Sequence, residues 1–189
     1  TAPRGAATLK LIPREDPLTL LLGFAKLVKS CSSGHLVLVG DGPMRKEIEA
    51  TIKDKGIANV HLQGYVRYSQ LPLFYAIADL FVHPPLREPW GVSVNEAMAC
   101  GLPVVVADTV GSHEDLVVPG NTGFVFKTGD SESLASYLIL ISQDRELCRS
   151  IGQNARALIA NFSYESTEQS LIEGLKVIAP GESAQAKRC

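Results

Sequence analysis

The stretch Arg87–Val105, REPWGVSVNEAMACGLPVV, decides the fold. An apolar run, Leu80-Phe81-Val82, precedes it, and Pro103-Val104-Val105-Val106 closes it. Short apolar runs on either side of a helix read as buried strands of a parallel sheet. Between them lie the loop Glu88-Pro89-Trp90-Gly91 and a predicted helix over Gly91–Cys100. The loop and the helix N-terminus then fall at the carboxyl edge of the sheet, where open α/β folds bind ligands.

The same alternation extends outward in both directions. Ala7–Ile12 reads as a strand, and Pro17–Lys29 as a helix with apolar residues at Leu18, Leu21, Leu22, Ala25 and Val28. Leu36–Val39 is a strand ended by Gly40-Asp41-Gly42. Pro43 suits the first turn of the next helix, which runs to about Lys55. Val60–Leu62 is a short strand, and Ser69 is placed to cap a helix through about Ala78. Beyond the central stretch, strands are predicted at Val104–Ala107 and Gly123–Phe126. Helices follow at Ser133–Ser142 (capped by Asp130), Asp144–Ala160, and from Ser163 through Val177. Repeated β-α alternation with short links predicts an α/β domain, a Rossmann-like doubly wound parallel sheet flanked by helices. Residues 1–178 read as one domain and 179–189 as a polar, disordered tail.

Composition sets limits on function. The chain has 189 residues, 46% hydrophobic and 20% charged, with a formal net charge of −2. That balance fits an ordinary globular domain and argues against a dedicated nucleic-acid binder, which carries a basic stripe. Cys31, Cys100, Cys148 and Cys189 form no C-x-x-C pair, so reduced thiols in a cytoplasmic protein are expected. The longest apolar stretch, Leu18–Val28, carries Lys26 and is too short to span a bilayer. No segment reads as a signal peptide, and peripheral membrane contact is left open.

Glu88 and Glu96 carry the chemistry of the central stretch. The first N–H groups of the helix, around Gly91, Val92 and Ser93, offer donors and partial positive charge to an anion such as a diphosphate. Gly91 lets a ligand approach the backbone. Ser93 and Glu96 share a helix face, and a carboxylate there can accept from two neighbouring hydroxyls, as a ribose presents. On spacing alone, an exposed helix acid and a loop charge are the commoner arrangement. Gly40-Asp41-Gly42-Pro43 can cradle phosphate, but it lacks the full G-x-G-x-x-G pattern and the Walker A lysine, and a tight turn needing positive φ is the commoner arrangement. Gly64-Tyr65-Val66 can border a flat base or be a plain loop. The histidines are scattered, and neither a metal pair nor a D-x-D occurs, so no metal cofactor is expected.

At these residues the chain resembles the C-terminal, nucleotide-sugar-binding domain of retaining GT-B glycosyltransferases of glycosyltransferase family 4. The resemblance covers roughly residues 8–178. It rests on VGDGP at 39–43, QGYV at 63–66, LPLFYAIADLFVHPP at 71–85, EPWGVSVNEAMACGLPVV at 88–105 and GNTGFVF at 120–126. It implies that Glu88 contacts the donor-sugar hydroxyls as the catalytic residue. It further implies that backbone N–H groups of Gly91, Val92 and Ser93 hold the sugar and diphosphate. Glu96 would bind the ribose hydroxyls, and Tyr65 and Val66 would border the base. Gly40 and Trp90 complete the implied donor site. The implied reaction transfers a sugar with retention, by front-face attack in which the leaving diphosphate helps take the acceptor proton.

The chain departs from the family pattern in its first loop. Lys10 stands where an arginine usually grips the diphosphate, and Glu15-Asp16 where a lysine-glycine pair is usual. Lys10 with Arg14 is expected to supply the charge that Glu15 reverses. The resemblance also implies a second, N-terminal domain that binds an acceptor of unknown identity. The expected partners are therefore a nucleotide-sugar donor and that missing domain, and the chain alone is expected not to transfer sugar. Alternatives are another GT-B sugar-nucleotide enzyme such as an epimerase, or a diverged non-catalytic scaffold.

Overall fold

The computed structural model describes residues 4–8 and 10–178. In chain order the elements are β1 (Arg4–Thr8), α1 (Pro17–Ser30), β2 (His35–Val39), α2 (Arg45–Lys55), β3 (Val60–Gly64), α3 (Leu71–Ile77) and β4 (Leu80–His83). They continue with α4 (Val92–Ala99), β5 (Val104–Ala107), α5 (His113–Leu116), β6 (Gly123–Phe126), α6 (Ser131–Gln143), α7 (Arg145–Ile159) and α8 (Tyr164–Ile178). The six strands form one sheet in the order β3-β2-β1-β4-β5-β6, and every pairing is parallel. Helices flank the sheet, with α1 packed on α6 and α2, and α4 packed on α7. The expected Rossmann-like α/β architecture is what the chain adopts.

The strands that frame the central stretch form the middle of the core. All four residues of β4 and all four of β5 are buried. Continuous apolar runs of this kind belong to strands covered on both faces. Each large side chain among them, Phe81 for example, stabilises the fold by about 1.5–3 kcal/mol through burial. The helices start where side chains can serve their free N–H groups. Asp16 accepts from the Thr19 N–H, Asp130 from those of Glu132 and Ser133, and Asp144 from that of Leu147.

Four expectations need correction. The first strand is Arg4–Thr8 rather than Ala7–Ile12. Its sequence, RGAAT, has none of the large apolar residues that mark a strand, and its place is fixed by parallel pairing with β2 and β4. Leu11 is fully buried in a turn instead, accepting from the Met44 N–H and donating to the Asp41 carbonyl. The helix expected from Pro43 starts at Arg45, because Gly42 and Pro43 are spent in that same turn. Ser69 does not cap α3; a 3-10 turn at Tyr68–Gln70 precedes it, closed by the Arg67 N–H donating to the Gln70 side chain. The short helix α5 was not anticipated, since four residues show no period. The tail at 179–189 lies outside the described residues.

No residue of α8 is buried. Leu171, Ile172, Leu175 and Ile178 are exposed and recur on one helical stripe. Among the described residues, no helix is long and apolar enough to cross a membrane.

Candidate functional site

The chain leaves β1 toward one side of the sheet and reaches β4 on the other, which puts a topological switch point between these two strands. A cleft of about 620 Å³ opens there, at the carboxyl ends of the strands. Lys10 and Glu15 enter it from the loop after β1, and Val39, Gly40 and Asp41 from the end of β2. Tyr65 and Val66 come from the segment after β3. His83 ends β4, and Glu88, Gly91, Val92 and Ser93 belong to the loop and first turn of α4.

The α4 N-terminus is held open by its loop. Gly91 sits at φ 90°, a left-handed conformation, and no side chain caps the helix there. A Cβ on Gly91 would lie 3.0 Å from Val110 Cγ1 and 3.2 Å from His83 Nε2, so only glycine fits without displacement. The loop is pinned from below by the segment after β5. The Glu88 N–H donates to the Thr109 carbonyl, the Gly111 N–H to the Glu88 carbonyl, and the Ser112 N–H to the Trp90 carbonyl. A fixed loop and an uncapped helix leave preorganised N–H donors and positive partial charge facing the cleft.

The charges around it are mixed. Glu15, Asp41 and Glu88 line the cleft against one lysine, Lys10. Arg14 stands behind them. Its Nη2 lies 2.9 Å from Glu15 Oε1 and 4.0 Å from Glu88 Oε2, so one guanidinium serves two carboxylates. Glu15 is buried and Arg14 half exposed. Asp16 adopts φ 44° and ψ 54°, a left-handed conformation that Asp tolerates, and also caps α1. On the far side, Gly40 takes φ 141° and its N–H donates to the Gly64 carbonyl. The positive φ expected there is present, but Gly40 bridges the ends of β2 and β3, and the turn that follows is closed by the Arg45 N–H donating to the Gly42 carbonyl.

Three of the predicted site residues stand apart from the cleft lining. Arg14 reaches it only through Glu15 and Glu88. Trp90 turns along α4, where its indole N–H donates to Asn95 Oδ1 at 3.0 Å. Glu96 faces an adjoining hollow of about 220 Å³, with Leu71 as a common wall. Its carboxylate accepts from the Tyr68 hydroxyl at 2.9 Å and the Tyr75 hydroxyl at 2.7 Å. The bond to Glu96 raises the Tyr68 pKa above its ordinary value. Lys10, Gly40, Tyr65, Val66, Glu88, Gly91, Val92 and Ser93 are brought together.

His83 is a lining residue that the sequence did not single out. It is 4% exposed, and neither ring nitrogen has a hydrogen-bond partner. Its ring stacks on Phe81, with centroids 6.3 Å apart. Burial pushes its pKa down to about 4, against an upward pull from Glu88, so it is neutral near pH 7. The available signal was its position as the last residue of an apolar strand beside the switch point.

A parallel sheet with this strand order, carrying its cleft at the switch point, defines a Rossmann-like α/β domain of the kind that forms half of a GT-B fold. The chain belongs to the family "Glycosyl transferases group 1", whose model matches residues 10–158. It is 30% identical over 154 residues to the putative glycosyltransferase EpsD of Bacillus subtilis, a match covering 82% of this chain and 40% of that protein. The chain thus spans less than half the length of the curated relatives it matches. Among solved structures it is similar to Anabaena Alr3699/HepE in complex with UDP and glucose, with a TM-score of 0.81 and 28% identity over 92% of this chain and 48% of that one. The C-terminal domain of a glycosyl transferase group 1 family protein (LpcC) from Francisella tularensis has the same fold. Its TM-score is 0.75 at 20% identity, covering 85% of this chain and 87% of that one.

Proposed function

We propose that this chain is the donor-binding half of a retaining glycosyltransferase, and that its cleft takes a nucleoside-diphosphate sugar. The observation that carries the reading is the uncapped N-terminus of α4, opening at the switch point with Glu88 on the loop before it and Glu96 one turn beyond. In this reading the Gly91, Val92 and Ser93 amides take the diphosphate, helped by Lys10 and Arg14. Glu88 meets the hydroxyls of the sugar. Glu96, whose carboxylate already accepts two hydroxyls from tyrosines, takes the paired hydroxyls of the ribose. Tyr65, which is 82% exposed, and Val66 border the base. The UDP-glucose complex of Anabaena HepE supports the choice of ligand class.

The proposed chemistry needs little from the chain beyond placement and charge. As the bond between sugar and diphosphate lengthens, negative charge grows on the leaving oxygen. Fixed amide dipoles at the α4 tip stabilise that charge without reorganising. Glu88, anchored through its backbone to Thr109 and Gly111, orients the sugar while the leaving diphosphate takes the acceptor proton. The acceptor is held by a second domain, and the exposed apolar stripe of α8 offers a surface for such a domain. This chain alone then binds donor without turnover.

Calorimetric titration of the chain with UDP, GDP and ADP, alongside a Glu96→Ala variant, tests the reading. Binding of one diphosphate, weakened by the substitution, is the expected result. No binding by this chain or by the full-length protein would contradict it.

A further inference from the structure

We propose that His83 is a further donor-binding residue, whose neutral imidazole donates a hydrogen bond to a diphosphate oxygen held at the α4 N-terminus. This rests on the nucleotide-sugar reading given above. A neutral imidazole always presents one N–H donor and one acceptor nitrogen. Buried groups of that kind are almost always paired, and an exception calls for an explanation. Here both nitrogens are buried without a partner, in a ring that lines the cleft.

The geometry says what the ring can serve. Nε2 and Cδ2 lie 3.2 and 3.3 Å from the point where Gly91 would carry a Cβ. The imidazole edge therefore faces the side of Gly91 that has no side chain, in the same cleft that Gly91, Val92 and Ser93 line. Phe81 stacks on the ring, and Val110 packs at the same spot on Gly91. Glu88 and Arg14 are the charged groups that act on it, with opposite effects. An apolar side chain of similar volume would fill this space and leave nothing unpaired, so the polar atoms find their use only in a ligand. A diphosphate at the helix tip supplies the missing acceptor, and an N–H donor from β4 would then converge with those of α4 on one anion.

The test compares the chain with His83→Leu and His83→Gln. Each is titrated with whichever of UDP, GDP and ADP binds the parent, and with the matching monophosphate. His83→Leu is expected to weaken diphosphate binding about tenfold to a hundredfold, the range for a hydrogen bond to a charged group. Monophosphate binding should change much less, and His83→Gln, which keeps an N–H near Nε2, should recover part of the loss. A structural role predicts a lowered melting temperature for His83→Leu, whereas the present assignment predicts an equal or higher one. Unchanged diphosphate affinity in His83→Leu, with the parent binding normally, overturns the role of His83 and leaves the site reading standing. Failure of both this chain and the full-length protein to bind any diphosphate overturns both. A readout that needs no substitution is the nitrogen-15 signal of the His83 ring, which should move on adding diphosphate and not on adding nucleoside; a ring that stays unmoved overturns the assignment.

Discussion

The Tyr75 hydroxyl on α3 donates to Oε2 of Glu96 on α4 at 2.7 Å, which ties the carboxylate to the helix beside the cleft. Tyr68, on the 3-10 turn before α3, donates to Oε1 from the solvent side. Tyr75 is 2% exposed and Tyr68 is 74% exposed. The buried hydroxyl fixes the acid, and in the proposed donor site the exposed one stands where a ribose hydroxyl would bind. Tyr75→Phe should therefore lower stability by about 1.5 kcal/mol in urea unfolding, as expected for a bond to a charged acceptor. Tyr68→Phe should leave the urea midpoint unchanged and leave nucleotide affinity equal or higher. Weaker nucleotide binding in Tyr68→Phe would show that its hydroxyl holds Glu96 in place rather than standing in for a ligand.

Gly91→Ala adds a methyl group against Val110 and His83 at a backbone angle that L-residues avoid. Strain and overpacking together should cost about 2 kcal/mol or more. The same substitution should reduce diphosphate affinity, because the loop must shift the amides it presents. Urea unfolding and calorimetry on the one variant measure both effects.

Glu15 places a buried carboxylate in a cleft proposed to hold an anion, and Arg14 is partly consumed in neutralising it. Glu15→Gln removes that charge and frees Arg14 toward Glu88. Diphosphate affinity should rise several-fold, more at low ionic strength than at high, as for any change in charge near an anion. A fall in affinity would mean that Glu15 serves to hold Arg14 in position.

His83 makes the fold sensitive to acid. Its pKa is about 4 in the folded chain, against an ordinary 6.5. Between those values the unfolded chain binds a proton at this side chain and the folded chain does not, so acid favours unfolding. Stability is complete above pH 6.5 and falls as the pH drops toward 4, by about 3 kcal/mol in all. Urea unfolding at pH 7, 5.5 and 4.5 should show the slope, and His83→Leu should flatten it. An equal slope in both proteins would show that other groups carry the acid sensitivity.

The parts of the fold that were legible are those whose signal is local. The run from Leu80 to Ala107 alternates strand, turn and helix with unambiguous apolar blocks, and its predicted helix and second strand match α4 and β5 to within a residue. β1 is illegible because its position comes from pairing with β2 and β4, and RGAAT holds no large apolar residue to mark it. The cleft was legible at Gly91, Val92 and Ser93, since a helix tip after a buried strand follows from topology. Arg14 beside Glu88 was not, because 74 positions separate them and only the fold joins them. His83 is illegible for a related reason: Phe81 stacks on its ring from the same strand, but Gly91 and Val110, which close over its edge, come from the loop before α4 and the segment after β5.

The central claim is that the α4 tip binds a diphosphate, and a crystal structure of the chain with the nucleoside diphosphate it binds tests that most directly. The expected result is phosphate oxygens within hydrogen-bonding distance of the Gly91, Val92 and Ser93 amides, with the ribose on the Glu96 side. A nucleotide bound elsewhere, with those amides left to solvent, would contradict the account.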